Sequence, residues 1–178
     1  LASAQALATE GVRVALVSRS VKKLAAALDT VAGDPIFVAA DLTDDRSIDA
    51  MLSEVAATLG HVDILVANAG GPPPGTFTST GYDLYPAALQ LNLLAHVRMC
   101  RALIPPMRER GWGRVVAITS ATVREPSPNL MLSNTARAGL TAFLKTTATE
   151  VAGDGVTVNS VQPGLHTTSR LRDSAPTE

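Results

Sequence analysis

Five short, mostly β-branched apolar runs recur along this chain, each parted from the next by a stretch of helical periodicity, and that alternation restricts the fold more than any other feature. The runs are Val12 to Val17, Ile36 to Ala40, Val62 to Ala67, Val115 to Thr119 and Val156 to Val161. Nearly continuous apolar runs of this length are the pattern of strands covered on both faces. The spacing predicts helices over Val21 to Val31, from Thr43 or Asp44 to Leu59, over Asp83 to Arg110 with an interruption at Pro105-Pro106, and over Asn129 to Ala152. The opening residues are also helical, with Leu1, Ala4 and Ala8 on one face. Strands linked through helices run parallel by right-handed crossovers. The expected fold is therefore α/β, a doubly wound parallel sheet with helices on both faces, in one domain over residues 1–178. A helix with no strand ahead of it leaves one sheet position to be filled, so a further strand and its loop are expected before Leu1.

Composition narrows the chemistry. Fifteen Lys and Arg against sixteen Asp and Glu leave a formal charge of -1, so no basic field recruits nucleic acid or an anionic membrane. The single cysteine, Cys100, falls in an apolar helical stretch, and His61, His96 and His166 are far apart in sequence. A metal site has no support. No apolar run reaches the roughly 20 residues of a membrane span, and a cytoplasmic location is expected.

In open parallel sheets ligands bind beyond the carboxyl ends of the strands. Those ends carry Ser18-Arg19-Ser20, Asp41-Leu42, Asn68-Ala69-Gly70, Ser120 and Gln162-Pro163-Gly164. Taken singly, a serine there caps a helix, a glycine makes a turn and an arginine solvates an edge.

Taken in order, VRVALVSRS, ADLTD, DILVANAG, LQLNLLAHV, GRVVAITS, LSNTARAGL and VTVNSVQPG resemble the short-chain dehydrogenase/reductase family over nearly the whole chain. The resemblance implies a Rossmann-type sheet binding NAD(H) or NADP(H), and hydride transfer between the nicotinamide and a small-molecule carbonyl or alcohol, most like the ketoacyl-carrier-protein reductases. It assigns Asp41 and Leu42 to the adenine ring, and Asn68, Ala69 and Gly70 to the turn beside the adenosine ribose. Asn92 takes the place of the asparagine that holds a relay water, and Ser120 that of the serine bonding the substrate oxygen. Pro163, Gly164 and Thr168 match the segment at the nicotinamide carboxamide. In the family the two long helices, here 83–110 and 129–152, pack between subunits, which implies a homodimer or homotetramer.

Cofactor choice is argued from charge. NAD-selective sites place a carboxylate at the second strand end to accept from the ribose 2′-OH. Ser18 and Arg19 stand there instead, and a guanidinium fork binds a 2′-phosphate, which favours NADP(H) and leaves NAD(H) possible. A methyltransferase would call for an acidic residue at the same place.

Two departures stand out. The family's Tyr-x-x-x-Lys sets both side chains on one helix face. Here Ser133 and Arg137 occupy those places, with Ser133 thirteen residues after Ser120 as the family spacing requires. A serine hydroxyl is far too basic to stand in for a phenol, and a guanidinium does not titrate near neutrality. The remaining tyrosines, Tyr82 and Tyr85, lie at the start of the first long helix. The second departure is the glycine-rich phosphate loop, which belongs before Leu1. The Gly70 to Gly75 segment does not replace it, because its prolines lack amide donors. Two readings stay open: a reductase with an atypical proton route through Ser120, Ser133, Arg137 and Asn92, or a non-catalytic dinucleotide-binding relative.

Overall fold

A computed structural model of the chain describes residues 1–164 and 166. Its elements run α1 (Ala2–Thr9), β1 (Ala15–Ser18), α2 (Val21–Ala25), β2 (Ile36–Ala39), α3 (Asp45–Leu59), β3 (Ile64–Ala67), α4 (Tyr85–Leu89), α5 (Ala95–Glu109), β4 (Gly113–Ile118), α6 (Met131–Val151) and β5 (Val156–Val161). Every strand pair is parallel. The ladders form two groups, β1 with β2 and β3-β4-β5. In register, Ser18 lies opposite Ala39, Ala67 opposite Ala117, and Ile118 opposite Val161, so within each group the strand exits lie side by side.

One core joins both groups. Val38 and Ala40 from the β2 side, Ile48, Met51 and Val55 of α3, and Val115 and Ala117 of β4 belong to a single buried cluster with Met99, Ile104 and Met107 of α5 and Leu140 and Leu144 of α6. Ile48, Met51 and Val55, and Leu140 and Leu144, recur at three- and four-residue spacing on one face of their helices, as an amphipathic helix on a sheet must.

Several element boundaries differ from the sequence expectation, each for a local reason. β1 begins at Ala15 rather than Val12, because the Val12 amide still closes the end of α1 by donating to the Leu7 carbonyl. Val17 is 39% exposed, so this strand is not covered on both faces. α2 ends at Ala25 and is followed by a 3-10 turn, Leu28–Thr30, where both the amide and the hydroxyl of Thr30 bond back to Ala27. A side chain competing for a backbone acceptor ends a helix in this way. Asp44, not Thr43, caps α3 by accepting from the Arg46 amide.

The largest difference lies in the 83–110 segment. Pro105 and Pro106 do not interrupt it: α5 passes through both. Each proline costs a helix interior roughly 3 kcal/mol, and the buried Ile104 and Met107 on either side contribute about 1.5–3 kcal/mol each. The break comes earlier, as a π-helical turn over Gln90–Leu94 between α4 and α5. Such bulges commonly mark functional positions, and this one contains Asn92.

Candidate functional site

Two clusters form at the strand exits. At the end of β1 and β2, the Ser18 hydroxyl accepts from the Ser20 amide, and the Ser20 hydroxyl accepts from the Lys23 amide to start α2. The side chain of Arg19 is left on the surface beside a cavity of about 270 Å³ lined also by Ala39, Ala40, Asp41 and Ser47. One oxygen of Asp41 accepts from both the amide and the hydroxyl of Thr43. Those two bonds hold its carboxyl below the usual range, assisted by the charge of Arg19. The Asp41 amide in turn donates to the Ser47 hydroxyl, tying the strand exit to the first turn of α3. Leu42 is half-buried against the core. The cavity thus joins a surface guanidinium to a carboxylate one of whose oxygens is already engaged, a wall suited to an anion beside a planar or polyol group.

The second cluster sits where β4 and β5 end. The Thr119 amide and hydroxyl both donate to the Val161 carbonyl, and the Ala121 amide donates to the Pro163 carbonyl. Ser120 lies between them. Its Oγ accepts from the amide and the hydroxyl of Thr122, which leaves its own proton for a further acceptor. From α6, Arg137 reaches the same place: Nη1 donates to the carbonyl of Ile118 at 3.2 Å and to that of Thr119. Ser133 is half-buried one turn earlier on α6. Arg137 therefore reaches the exit of β4 at the residue preceding Ser120, with the guanidinium bonded to main-chain oxygens.

The remaining predicted residues surround this point. Asn92 is 1% exposed, and its Nδ2 donates to the Ala88 carbonyl at 3.4 Å. The π-turn that carries it packs on α6, where the ideal Cβ of Gly139 would lie 3.4 Å from Leu93. Asn68 and Gly70 are exposed and Ala69 is half-buried, at the exit of β3 next to β4. The proline loop that follows is pinned to the start of α6, with the Gly75 amide donating to Asn129 and its carbonyl accepting from Met131. Pro163 is half-buried and Gly164 exposed; Thr168 lies outside the described residues. Tyr82 is 87% exposed with its ring 6.3 Å from that of Tyr85.

Sequence reasoning passes over Thr119, Thr122 and His96. The Thr122 hydroxyl donates to Ser120 Oγ, and the Thr119 hydroxyl to the Val161 carbonyl. His96 is 2% exposed and neither ring nitrogen has a partner; its spacing of four from Asn92 is the sequence signal that points to it. Among the described residues, no group of three or more histidine, cysteine or carboxylate side chains lies together as a metal site, and no helix is long and apolar enough to cross a membrane.

The family model for short chain dehydrogenase matches residues 1–178, and the chain belongs to the short-chain dehydrogenase/reductase family, whose members bind nicotinamide dinucleotides. It is 36% identical over 137 residues to a D-beta-hydroxybutyrate dehydrogenase of Rhizobium meliloti, covering 77% of this chain and 53% of that protein. Two crystal structures are similar at 32% identity. A short-chain dehydrogenase from Streptomyces avermitilis has a TM-score of 0.87, covering 93% of this chain and 61% of the other. The L-sorbose reductase of Gluconobacter frateurii, complexed with NADPH and L-sorbose, has a TM-score of 0.86, covering 94% and 65%. The chain spans about half to two thirds of the length of the curated relatives it matches.

Proposed function

We propose that this chain carries the nicotinamide site of an NADP(H)-dependent oxidoreductase that interconverts a small carbonyl compound and its alcohol, in the manner of a ketoacyl reductase. The observation that carries the reading is the meeting of Ser120, Arg137 and the Pro163 carbonyl at the joint exit of β4 and β5. A bound dinucleotide supplies the hydride. The chain supplies the rest: Ser120, its oxygen already accepting from Thr122, would donate a hydrogen bond to the substrate oxygen, which would take its proton from water relayed by Ser120, Ser133 and Asn92, and Arg137 would place fixed positive charge beside the ring and ribose. Pro163 and Gly164 would line the carboxamide, and Asn68, Ala69 and Gly70 the adenosine ribose. Ser18 and Arg19 would receive the 2′-phosphate, with Asp41 and Leu42 at the adenine. The cavity at Arg19 supports NADP(H) over NAD(H), because its guanidinium stands at the surface beside open volume. The similar L-sorbose reductase, complexed with NADPH, supports the same choice. Leu84 and Leu94, 41% and 49% exposed on the 83–110 segment, support association of copies into a homodimer or homotetramer through that segment and 129–152.

Titration of the full-length protein with NADPH and with NADH, read by nicotinamide fluorescence, tests the site. Tighter NADPH binding and oxidation of NADPH across a carbonyl panel are expected; absence of binding to both dinucleotides overturns the reading. A second reading, a dinucleotide-binding relative without turnover, is favoured by one observation. Arg137 donates to strand carbonyls while Ser133 stands where the family has a phenol. The double variant S133Y/R137K separates the two: strong gain of turnover supports the second reading, and loss of a native turnover supports the first.

A further inference from the structure

Gln162 leaves β5 beside Ser120. The carbonyls on either side of it, those of Val161 and Pro163, accept from the amides on either side of Ser120, those of Thr119 and Ala121. Its side chain holds Arg124, whose Nε donates to Gln162 Oε1 at 3.1 Å. The backbone of Arg124 is fixed as well: its amide donates to the Ala121 carbonyl at 3.0 Å, closing the 3-10 turn Ala121–Val123 that Ser120 caps. Such a turn rises only about 2 Å per residue, so four residues carry the chain roughly 8 Å from Ser120. Beside the pair lies a cavity of about 440 Å³, lined by Val123, Arg124, Thr141 and Gln162. Thr141, whose hydroxyl donates to the Arg137 carbonyl, joins this cavity to α6.

The free polar groups of the pair are donors. With Nε engaged, the two terminal nitrogens of the guanidinium have no partner among the described residues. A guanidinium only donates, so the bond to Oε1 leaves the Gln162 NH2 over as a further donor. None of the ion pairs among the described residues includes Arg124, the adjacent Glu125 notwithstanding. A planar fork held at one nitrogen, with two parallel N–H groups open beside a cavity, is preformed for a carboxylate.

We propose that Arg124, held by Gln162, binds a carboxylate of the substrate, so that the carbonyl compound is a short oxo acid. The inference rests on the reading of Ser120 as the serine that bonds the substrate oxygen. Ser120 then marks the carbonyl and Arg124 the carboxylate, and the single turn that joins them keeps the two groups a few bonds apart. A neutral carbonyl compound leaves the fork without an acceptor, whereas an anion gains two charge-assisted bonds. The carboxylate itself is unchanged in the reaction: hydride from the reduced dinucleotide adds to the carbonyl carbon, the carbonyl oxygen takes a proton, and the dinucleotide leaves oxidised.

The test gives the full-length protein NADPH and pyruvate, acetoacetate or levulinate, acids in which successively more carbons part carbonyl from carboxylate, each beside its methyl ester. In the parent, kcat/KM for the preferred acid exceeds that for its ester by about tenfold or more. Arg124→Met brings this ratio close to unity, chiefly through KM, and Arg124→Lys keeps part of it. Gln162→Glu, which pairs with Arg124 and repels the anion, lowers it as well. Thermal midpoints near that of the parent show that the variants fold. Raised salt lowers the ratio in the parent and not in Arg124→Met, because the guanidinium is exposed. Esters reduced as well as acids by the parent, or a ratio that Arg124→Met leaves unchanged, overturn the proposal while the reductase reading stands. If the parent reduces none of these compounds, calorimetric titration with the same acids decides. Binding that Arg124→Met abolishes sustains the carboxylate site although turnover fails, and absence of binding overturns it.

Discussion

Arg137 and Thr119 are joined by a hydrogen bond from Nη1 to the main-chain carbonyl at the last residue before Ser120. The same nitrogen bonds the Ile118 carbonyl, so one side chain from α6 closes the end of β4. Helix and sheet are thereby locked at the place where the candidate site requires its exact spacing. Arg137→Met removes both bonds and leaves two strand-end acceptors without that donor, at about 1–2 kcal/mol of stability. That is a fraction of the 5–15 kcal/mol typical of a domain, so the variant folds. Its denaturant midpoint falls by that amount, and its NADPH affinity falls at least tenfold; unchanged affinity would remove Arg137 from the cofactor site.

Ser120 tests the chemistry separately from the scaffold. Its Oγ serves only Thr122 within the turn, as a half-buried cap, and losing such a cap costs about 1 kcal/mol. Ser120→Ala is expected to lower kcat/KM about 100-fold, the cost of removing one donor aimed at a developing oxyanion. NADPH binding and thermal midpoint stay close to the parent. Loss of binding together with turnover would instead mark Ser120 as part of the fold.

Arg19 decides between the cofactors. The side chain is exposed and screened by solvent, so its worth depends on salt. Arg19→Ala is expected to weaken NADPH about tenfold at low ionic strength, with NADH little changed, and the gap between the dinucleotides narrows as salt rises. Competitive titrations at two salt concentrations measure both effects; equal loss for the two dinucleotides would assign Arg19 to the adenine instead.

The parallel α/β order was legible because buried strands and amphipathic helices leave different periods in the sequence, and the runs from Val62 to Ala67 and Val156 to Val161 show it clearly. The strand-exit residues were legible for the same reason: topology alone puts Ser18, Asp41 and Ser120 at one edge. What period counting does not carry is the competition among hydrogen bonds. Val12 reads as strand until its amide is found closing α1. Pro105 and Pro106 read as a break, yet α5 passes through both, with Ile104 and Met107 buried on either side. The π-turn at Asn92 arises from packing against α6, which no local pattern records. His96 was passed over because a lone histidine in an apolar stripe looks like core, and the burial of both its ring nitrogens without a partner is a matter of packing that no local pattern records.

Burial, and secondarily the charge of Arg137, pushes His96 down to about 4, whereas an unfolded histidine titrates near about 6.5. Between those values the unfolded chain holds a proton that the folded chain refuses. Stability therefore rises with pH across the window and is lost as pH falls from about 6.5 toward about 4, on the order of 3 kcal/mol in all. Asp41 and Asp49, both held below the carboxylate range by hydrogen bonds, first to Thr43 and to Arg98 respectively, add their loss only as pH falls further. Denaturant midpoints at pH 7 and pH 4.5 measure the slope. It flattens in His96→Leu; a slope unchanged in that variant would assign the acid sensitivity to another group.

Gly155 turns the chain from α6 into β5, and so fixes the register on which Val161 and Pro163 meet Ser120. Its φ is +74°, in the left-handed region, and an ideal Cβ there would lie 2.0 Å from the carbonyl oxygen of Gly111. That oxygen belongs to the turn entering β4, so neither side yields without moving a strand. Gly155→Ala carries the left-handed penalty of about 1–3 kcal/mol plus the clash, and the sum lies at or above the upper end of that range. The expected result is a thermal midpoint lowered by several degrees, with the loss of NADPH affinity tracking the unfolded fraction. Gly153, whose Cβ would meet nothing within 4 Å and whose φ is not positive, is the control: Gly153→Ala is expected to be neutral or slightly stabilising, and a comparable loss there would show that the turn, rather than the approach to Gly111, sets the cost.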